Sequence, residues 1–446
     1  MFPAYLSIIN LLLVSNTLVF PATDGEWTAP GVEVTEIASI DLLAYGTPPA
    51  GEGSEVTVVA CQPFFMEEDG KVRWRVNILY HDRLVVVEEG IEPIEIHVGF
   101  QNCESAVFSN NGNYAMVGAE VGTEDDPLCI FSLVNLEDRS VSRLHRTFTY
   151  GREPVFWVDN DGSSAFLAHG RLLERGDWLR GQYDLSNDTL FMLDRNLSEE
   201  CFIMFPCILP EIVRSENGEV TLAYYDNTIG RFDEAGSRIW SFHEPVNTDD
   251  LPPSLFRIRM NENTETFFLR YPDALYAYET ESGDQIMSYT VYSENTSLAL
   301  STTSSLWSGI FKSRGSERIF PPNNTAHLVV SDIYGEEVFS ADASCQNGRI
   351  GQRFGPTFYT HSDGSVILLR RSDSNPQYNF LCLVNGNAMF WQSEHIENVI
   401  GFPGNFSPEW WLDYYPVAFQ HISNNSIMLA FPNSSFMSIN QIRWNN

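Results

Sequence analysis

The densest run of chemically useful side chains is GFPGNFSPEWWLDYYP, residues 401–416. Trp410, Trp411, Tyr414 and Tyr415 offer four ring faces within six positions, and Asp413 offers a polar anchor beside them. Flat rings flanked by Pro and Gly suit a ligand-binding platform for a sugar or a partner side chain. The same rings would serve equally well as packing over neighbouring strands.

Other candidates for chemistry are weaker. DNDGSS, Asp159 to Ser164, opens like a calcium loop, but Gly170 stands where the twelfth-position acid belongs. Glu199-Glu200, Asp249-Asp250 and Glu336-Glu337 could act in hydrolysis only if folding brought two carboxylates together. The nine histidines are scattered, and His243-Glu244 lacks the second histidine of a zinc-protease helix. A nucleophile elbow, a dinucleotide glycine motif, a phosphate loop and the sialidase box are all missing from the sequence. No catalytic residue, metal ligand or cofactor is therefore assigned.

The seven cysteines show no zinc spacing. Cys201 and Cys207, in CFIMFPC, would close a small loop in an oxidising compartment, worth about 2 kcal/mol in the chain-entropy view. Cys61, Cys129 and Cys382 sit in apolar runs and read as buried thiols. Residues 1–22 hold an apolar stretch from Leu6 to Phe20 that is short for a membrane span and suits an export signal cut after Ala22. Against that reading, no Lys or Arg precedes Lys71. Export to the periplasm or the extracellular space is the expectation, with a buried N-terminal strand or helix as the alternative. Seven Asn-x-Ser/Thr sequons matter only in a host that glycosylates.

The net charge of −33 arises from 59 acids against 26 bases. Such a surface repels nucleic acid and anionic lipid, and it attracts basic partners. No later run is long and apolar enough for a transmembrane helix.

These residues need a frame, and a repeat supplies one. Gly236, Gly283, Gly335 and Gly386 follow one another at 47, 52 and 51 residues, and four positions after them stand Trp240, Met287, Phe339 and Phe390. Gly70 with Trp74 extends the series. A second series of turns, at Gly112, Gly162, Gly218, Asn263, Gly315, Gly364 and Asn425, with Gly51 before it, runs in near-constant phase about twenty residues ahead of the first. Two turn series per period, flanked by short runs rich in Val, Ile, Phe and Tyr, imply four strands per unit. The expected fold is all-β: a β-propeller of eight four-stranded blades, with seven as the alternative. Residues 23–446 would form this single domain, with 83–98 as an inserted hairpin after the first unit and 401–416 as an inter-blade loop. The strand EVTEIASIDLL near the start could pair with the last strands and tie the termini together.

Asp233, Gly236 and Trp240, and more loosely Glu279, Gly283 and Met287, resemble the PQQ-like repeat of quinoprotein-type propellers. In that family these positions pack blades together, so the resemblance implies architecture; the Thr before glycine is absent in every copy, and no quinone or calcium site matches. The functional expectation is an exported, monomeric, non-enzymatic module that binds a protein or a glycan. The alternative is a glycoside hydrolase or lyase using carboxylates at the channel mouth.

Overall fold

A computed structural model describes residues 17–20, 27–28, 32–46, 56, 58–68, 70–100, 103–120, 128–142, 145–148, 155–172, 183–206, 211–215, 217–225, 228–243, 258–261, 263–270, 274–290, 295–302, 306–313, 325–345, 357–360, 366–371, 376–384, 387–392, 418–423, 426–433 and 436–444. Among them all regular structure is strand, arranged in eight antiparallel sheets of four, two of which gain a fifth strand. The chain is a β-propeller.

The fourth sheet shows how sequence makes such a unit. Glu211–Arg214, Thr221–Tyr225, Thr228–Phe232 and Arg238–His243 pair in simple meander order. Successive side chains alternate between faces, so one strand feeds two interfaces. Leu222 and Tyr224 join a cluster with Ile258, Met260, Phe267 and Leu269 of the fifth sheet. Ala223 points the other way, with Phe232, into a cluster with Leu167, Leu190, Met192 and Phe205 of the third. A four-stranded sheet with both faces apolar cannot stand alone in water, and stacking neighbours around a ring covers both faces.

The ring closes. Ile40, Met428, Ala430, Met437 and Ile439 of the last sheet share a buried cluster with Cys61, Val76, Ile78, Val85 and Val87 of the first. Val32–Asp41 supplies the outermost strand of that last sheet, pairing with Phe436–Trp444 from Val32 opposite Trp444 to Asp41 opposite Phe436. The two ends of the chain are thereby hydrogen-bonded into one sheet. Thr17–Phe20 adds a parallel strand to Glu337–Cys345, and Trp27–Thr28 adds an antiparallel one to Asn387–Gln392.

Two expectations need correction. Residues 83–98 are not an insertion: Arg83–Glu88 and Ile94–His97 are the third and fourth strands of the first sheet. The misreading began at Gly70, which lies in the turn between the first and second strands, Ala60–Glu68 and Lys71–Leu79. The glycine equivalent to Gly236 in this sheet is Gly90, and Trp74 accordingly stands on the second strand. Similarly, Gly315 comes after the second strand of the sixth sheet, Leu306–Ser313, which pairs antiparallel with the first, Asn295–Thr302. Gly51, Gly315, Gly364, Gly386 and Asn425 lie outside the described residues, as do the side chains of Phe339 and Phe390.

Candidate functional site

The acid and glycine of the repeat build one turn. Gly236 N–H donates to the Asp233 carbonyl at 3.0 Å, and Asp233 Oδ1 accepts from Ser237 N–H at 2.7 Å. Asp332 repeats this with Gly335, its Oδ1 accepting from Tyr334 and Glu336 at 3.0 and 2.8 Å. A carboxylate within reach of two turn amides replaces water as their acceptor. Gly236, Gly283 and Gly335 hold φ of +72°, +76° and +92°, which a side chain disfavours.

Each of these glycines also lies against the bulky residue of the preceding sheet. A Cβ on Gly283 would stand 3.3 Å from the Trp240 ring, one on Gly335 3.2 Å from Met287, and one on Gly236 3.3 and 3.4 Å from Ile203 and Cys201. Trp240 stacks on Phe267 and donates its indole N–H to the carbonyls of Thr280 and Glu281, both at 3.1 Å. The repeat residues thus lock neighbouring sheets together. Cys201 occupies the position of Trp240 in the third sheet, and its Sγ lies 3.2 Å from the Glu234 carbonyl. Cys207, its expected disulfide partner, lies outside the described residues.

Between the third and fourth sheets the same turns frame a polar cleft of about 550 Å³. Four hairpins wall it: Asp161 and Ser163 in one, Asp194 to Asn196 in the second, Asn217 and Gly218 in the third, and Glu234 in the fourth. Met192 and Leu193 supply apolar floor, and Glu200 joins the rim. Behind the wall Arg214 Nη2 meets Asp159 Oδ2 at 2.9 Å, with side chains only 4% and 3% exposed. Arg214 Nη1 donates to Thr221 Oγ1 at 3.1 Å, whereas its buried Nε–H has no acceptor among the described residues.

The carboxylates here are tuned in opposite directions. Burial pushes the Asp159 carboxyl up, and this outweighs the opposing effect of Arg214 and of the Ser163 hydroxyl bond. At Asp161 and Asp194 burial also raises the value, but hydrogen bonds from Ser163 to the former, and from Ser198 and Asn196 to the latter, hold both below the usual carboxylate range. Asp161 and Asp194 therefore stay ionised near neutral pH.

The calcium-like DNDGSS loop is therefore a hairpin whose acids are directed to Arg214 and Ser163. Among the described residues no cluster of three or more His, Cys, Asp or Glu is placed to hold a metal ion. The platform Trp410, Trp411, Asp413, Tyr414 and Tyr415 lies outside the described residues. Sequence reading missed the Asp159–Arg214 pair, although a signal was present. Ser109, Ser215 and Asn261 occupy the position of Asp159 in neighbouring sheets, so this hairpin alone of the four carries an acid there.

The chain matches no protein-family model and no curated protein. Solved structures do resemble it. The WD40 domain of SCAP from fission yeast shares 8% identity at a TM-score of 0.47, with 93% of this chain and 99% of that one covered. The β-propeller domain of Cps50 (Swd1) from Myceliophteria thermophila shares 12% at 0.37, covering 80% and 99%. Hsv2 from Kluyveromyces lactis shares 9% at 0.44, covering 78% and 100%. Among the described residues no helix is long and apolar enough to cross a membrane.

Proposed function

We propose that the chain is an exported β-propeller that binds a macromolecular partner, protein or glycan, and catalyses no reaction. The observation that carries this reading is the cleft between the third and fourth sheets: four hairpins, each braced by its own acid or amide bonds, hold a polar hollow open on a ring that closes on itself. A preformed concave surface on a rigid frame loses little entropy when a ligand docks.

The electrostatics favour binding over acid–base chemistry. A glycosidase-type pair needs two carboxylates of divergent protonation sharing one substrate. Here the carboxyl with the raised value, Asp159, is engaged by Arg214 and Ser163, while Asp161 and Asp194 are held ionised by their own turns. The asparagine, glutamate and arginine side chains around them suit recognition.

Kinship with PQQ-like repeats is supported by Asp233, Gly236 and Trp240, which do in this ring what their counterparts do in that family: cap a turn and dock on the next sheet. The aromatic segment 401–416 is our second proposed contact surface. Export is tested by expressing the whole chain with a secretion-competent host and sequencing the N-terminus of the released protein: Thr23 is the expected first residue, its exposure by cleavage removing the strand Thr17–Phe20, and a chain that keeps Thr17–Phe20 paired with Glu337–Cys345 overturns the export reading. Binding is tested by pull-down and glycan array with residues 23–446. Turnover of a glycoside, abolished by a carboxylate substitution that leaves the fold intact, would overturn the reading.

A further inference from the structure

The charge and lining of the cleft narrow the ligand, on the premise that the chain is a binding module. Five carboxylates surround it when Asp159 is included, against the two guanidiniums of Arg195 and Arg214. One of those guanidiniums is already neutralised by Asp159 at 2.9 Å. The field inside is negative, and the rim acids Glu200 and Glu234 are exposed or stand on an exposed turn.

A second observation concerns the wall. Arg214 stands opposite Thr221 in register, on the face of the fourth sheet that carries Ala223 and Phe232 toward the third sheet, so its guanidinium lies at the back of the cleft. Of the four N–H groups on Nη1 and Nη2, three reach Thr221, Asp159 and the Gly218 carbonyl. The fifth, on Nε, is buried and lacks an acceptor among the described residues. A buried donor left unmade is costly, and an incoming oxygen that accepts from this guanidinium, which lines the cleft, offsets part of that cost.

A negative hollow backed by a guanidinium with N–H groups to spare calls for a ligand that carries positive charge and a carbonyl oxygen close together. A sugar fits less well, because among the described residues no aromatic ring lines the cleft to stack on a pyranose face. A bare metal ion lacks the oxygen. We propose that the cleft between the third and fourth sheets binds a basic peptide segment, whose lysine or arginine side chain faces Glu200 and Glu234 while a backbone carbonyl accepts from Arg214.

The test is calorimetric titration of the mature chain with a capped pentapeptide carrying two lysines, compared with its doubly acetylated form, a two-glutamate peptide, maltopentaose and cadaverine. The lysine peptide is expected to bind at one site, and the acetylated, acidic and sugar probes to bind at least tenfold more weakly. Glu200→Gln with Glu234→Gln is expected to weaken the lysine peptide about tenfold, at roughly threefold per charge. Glu89→Gln with Glu92→Gln, exposed acids of the first sheet, removes the same net charge and is expected to change affinity less than twofold. Arg214→Lys keeps the charge facing Asp159 but removes Nε–H; it is expected to weaken the peptide and to spare cadaverine, which has no carbonyl. If that variant does not fold, the two glutamate pairs still decide the matter. Equal losses in both pairs, undiminished binding of the acetylated peptide, or no binding of the lysine peptide each overturn the proposal. Capture of another protein or a glycan in those cases would leave the binding-module reading standing.

Discussion

The interface between the third and fourth sheets and the one between the fourth and fifth start from the same frame and are filled differently. At the second, Trp240 stacks on Phe242 and Phe267 and presses on Gly283, so the outer turns meet through rings and a bare backbone. At the first, the equivalent position holds the small Cys201, which with Ile203 lies 3.4 and 3.3 Å from where a Cβ on Gly236 would stand, and the adjoining turns frame the polar cleft with the buried Asp159–Arg214 pair behind. One interface is joined by a large ring at the docking position; the other is joined by small apolar contacts and an inner apolar cluster, with a polar hollow among its turns. The contrast separates residues that hold the ring from residues that give it a surface.

Breaking the polar joint is expected to have the largest effect. Asp159→Ala strands a guanidinium whose side chain is 4% exposed, and the expected loss is about 3–5 kcal/mol by urea unfolding. Because the pair itself is expensive to bury, Asp159→Leu combined with Arg214→Met is expected to recover most of that loss. A double variant as unstable as the single one would show that the ion pair, and not the stranded charge, dominates.

On the apolar side, Trp240→Ala is expected to cost about 2–3 kcal/mol, below the usual range for a buried tryptophan because the residue is only partly buried. Gly283→Ala comes next, at about 1–2 kcal/mol, since the methyl meets the Trp240 ring at 3.3 Å and φ is +76°. In the Trp240→Ala background the contact is gone and only the backbone strain remains. The Gly283→Ala cost is expected to fall there by about half, a coupling that a double-mutant cycle measures. Strict additivity would mean that the two residues do not lock together.

How much of this could be read beforehand follows from the same contrast. The apolar joints repeat, so the spacing of Gly236, Gly283 and Gly335 and the bulky residue four positions on revealed both the turn and the ring. The reading failed where another residue did the work of glycine. Leu197 and Arg139 adopt φ of 60° and 63° in turns that lack glycine, which left the second and third sheets faint. In the first sheet, glycines at both Gly70 and Gly90 made two different turns look alike, and the phase slipped by one hairpin. The site is legible only as a departure from the repeat: an acid at Asp159 where neighbours place Ser109, Ser215 and Asn261, and an arginine just before Ser215 to meet it. Their contact spans 55 residues and depends on ring geometry that no local pattern encodes.

The smallest expected effect concerns pH and sharpens the comparison within the cleft itself. Asp194 has its folded-state carboxyl lowered, so its contribution to stability is present above the unfolded value of about 3.9 and is lost as pH falls through the lower folded value. Asp159 is raised, so its titration acts with the opposite sign: that contribution is fully present below about 3.9 and is lost as pH rises through the folded value. Asp194→Asn keeps the side chain's shape and one acceptor oxygen for Ser198 and Asn196 while removing the charge. The variant is expected to be less stable than the parent by under about 1 kcal/mol at pH 7, because the turn is solvent-facing, and the gap is expected to close below pH 4. Asp159→Asn is expected to show a pH dependence of the reverse slope: burial dominates at this carboxyl, so the variant's disadvantage shrinks as pH rises from 4 to 7. Urea midpoints of the parent and both variants between pH 3 and pH 7 measure this, and parallel curves for Asp194→Asn and Asp159→Asn would show that the two walls of the cleft are electrostatically alike.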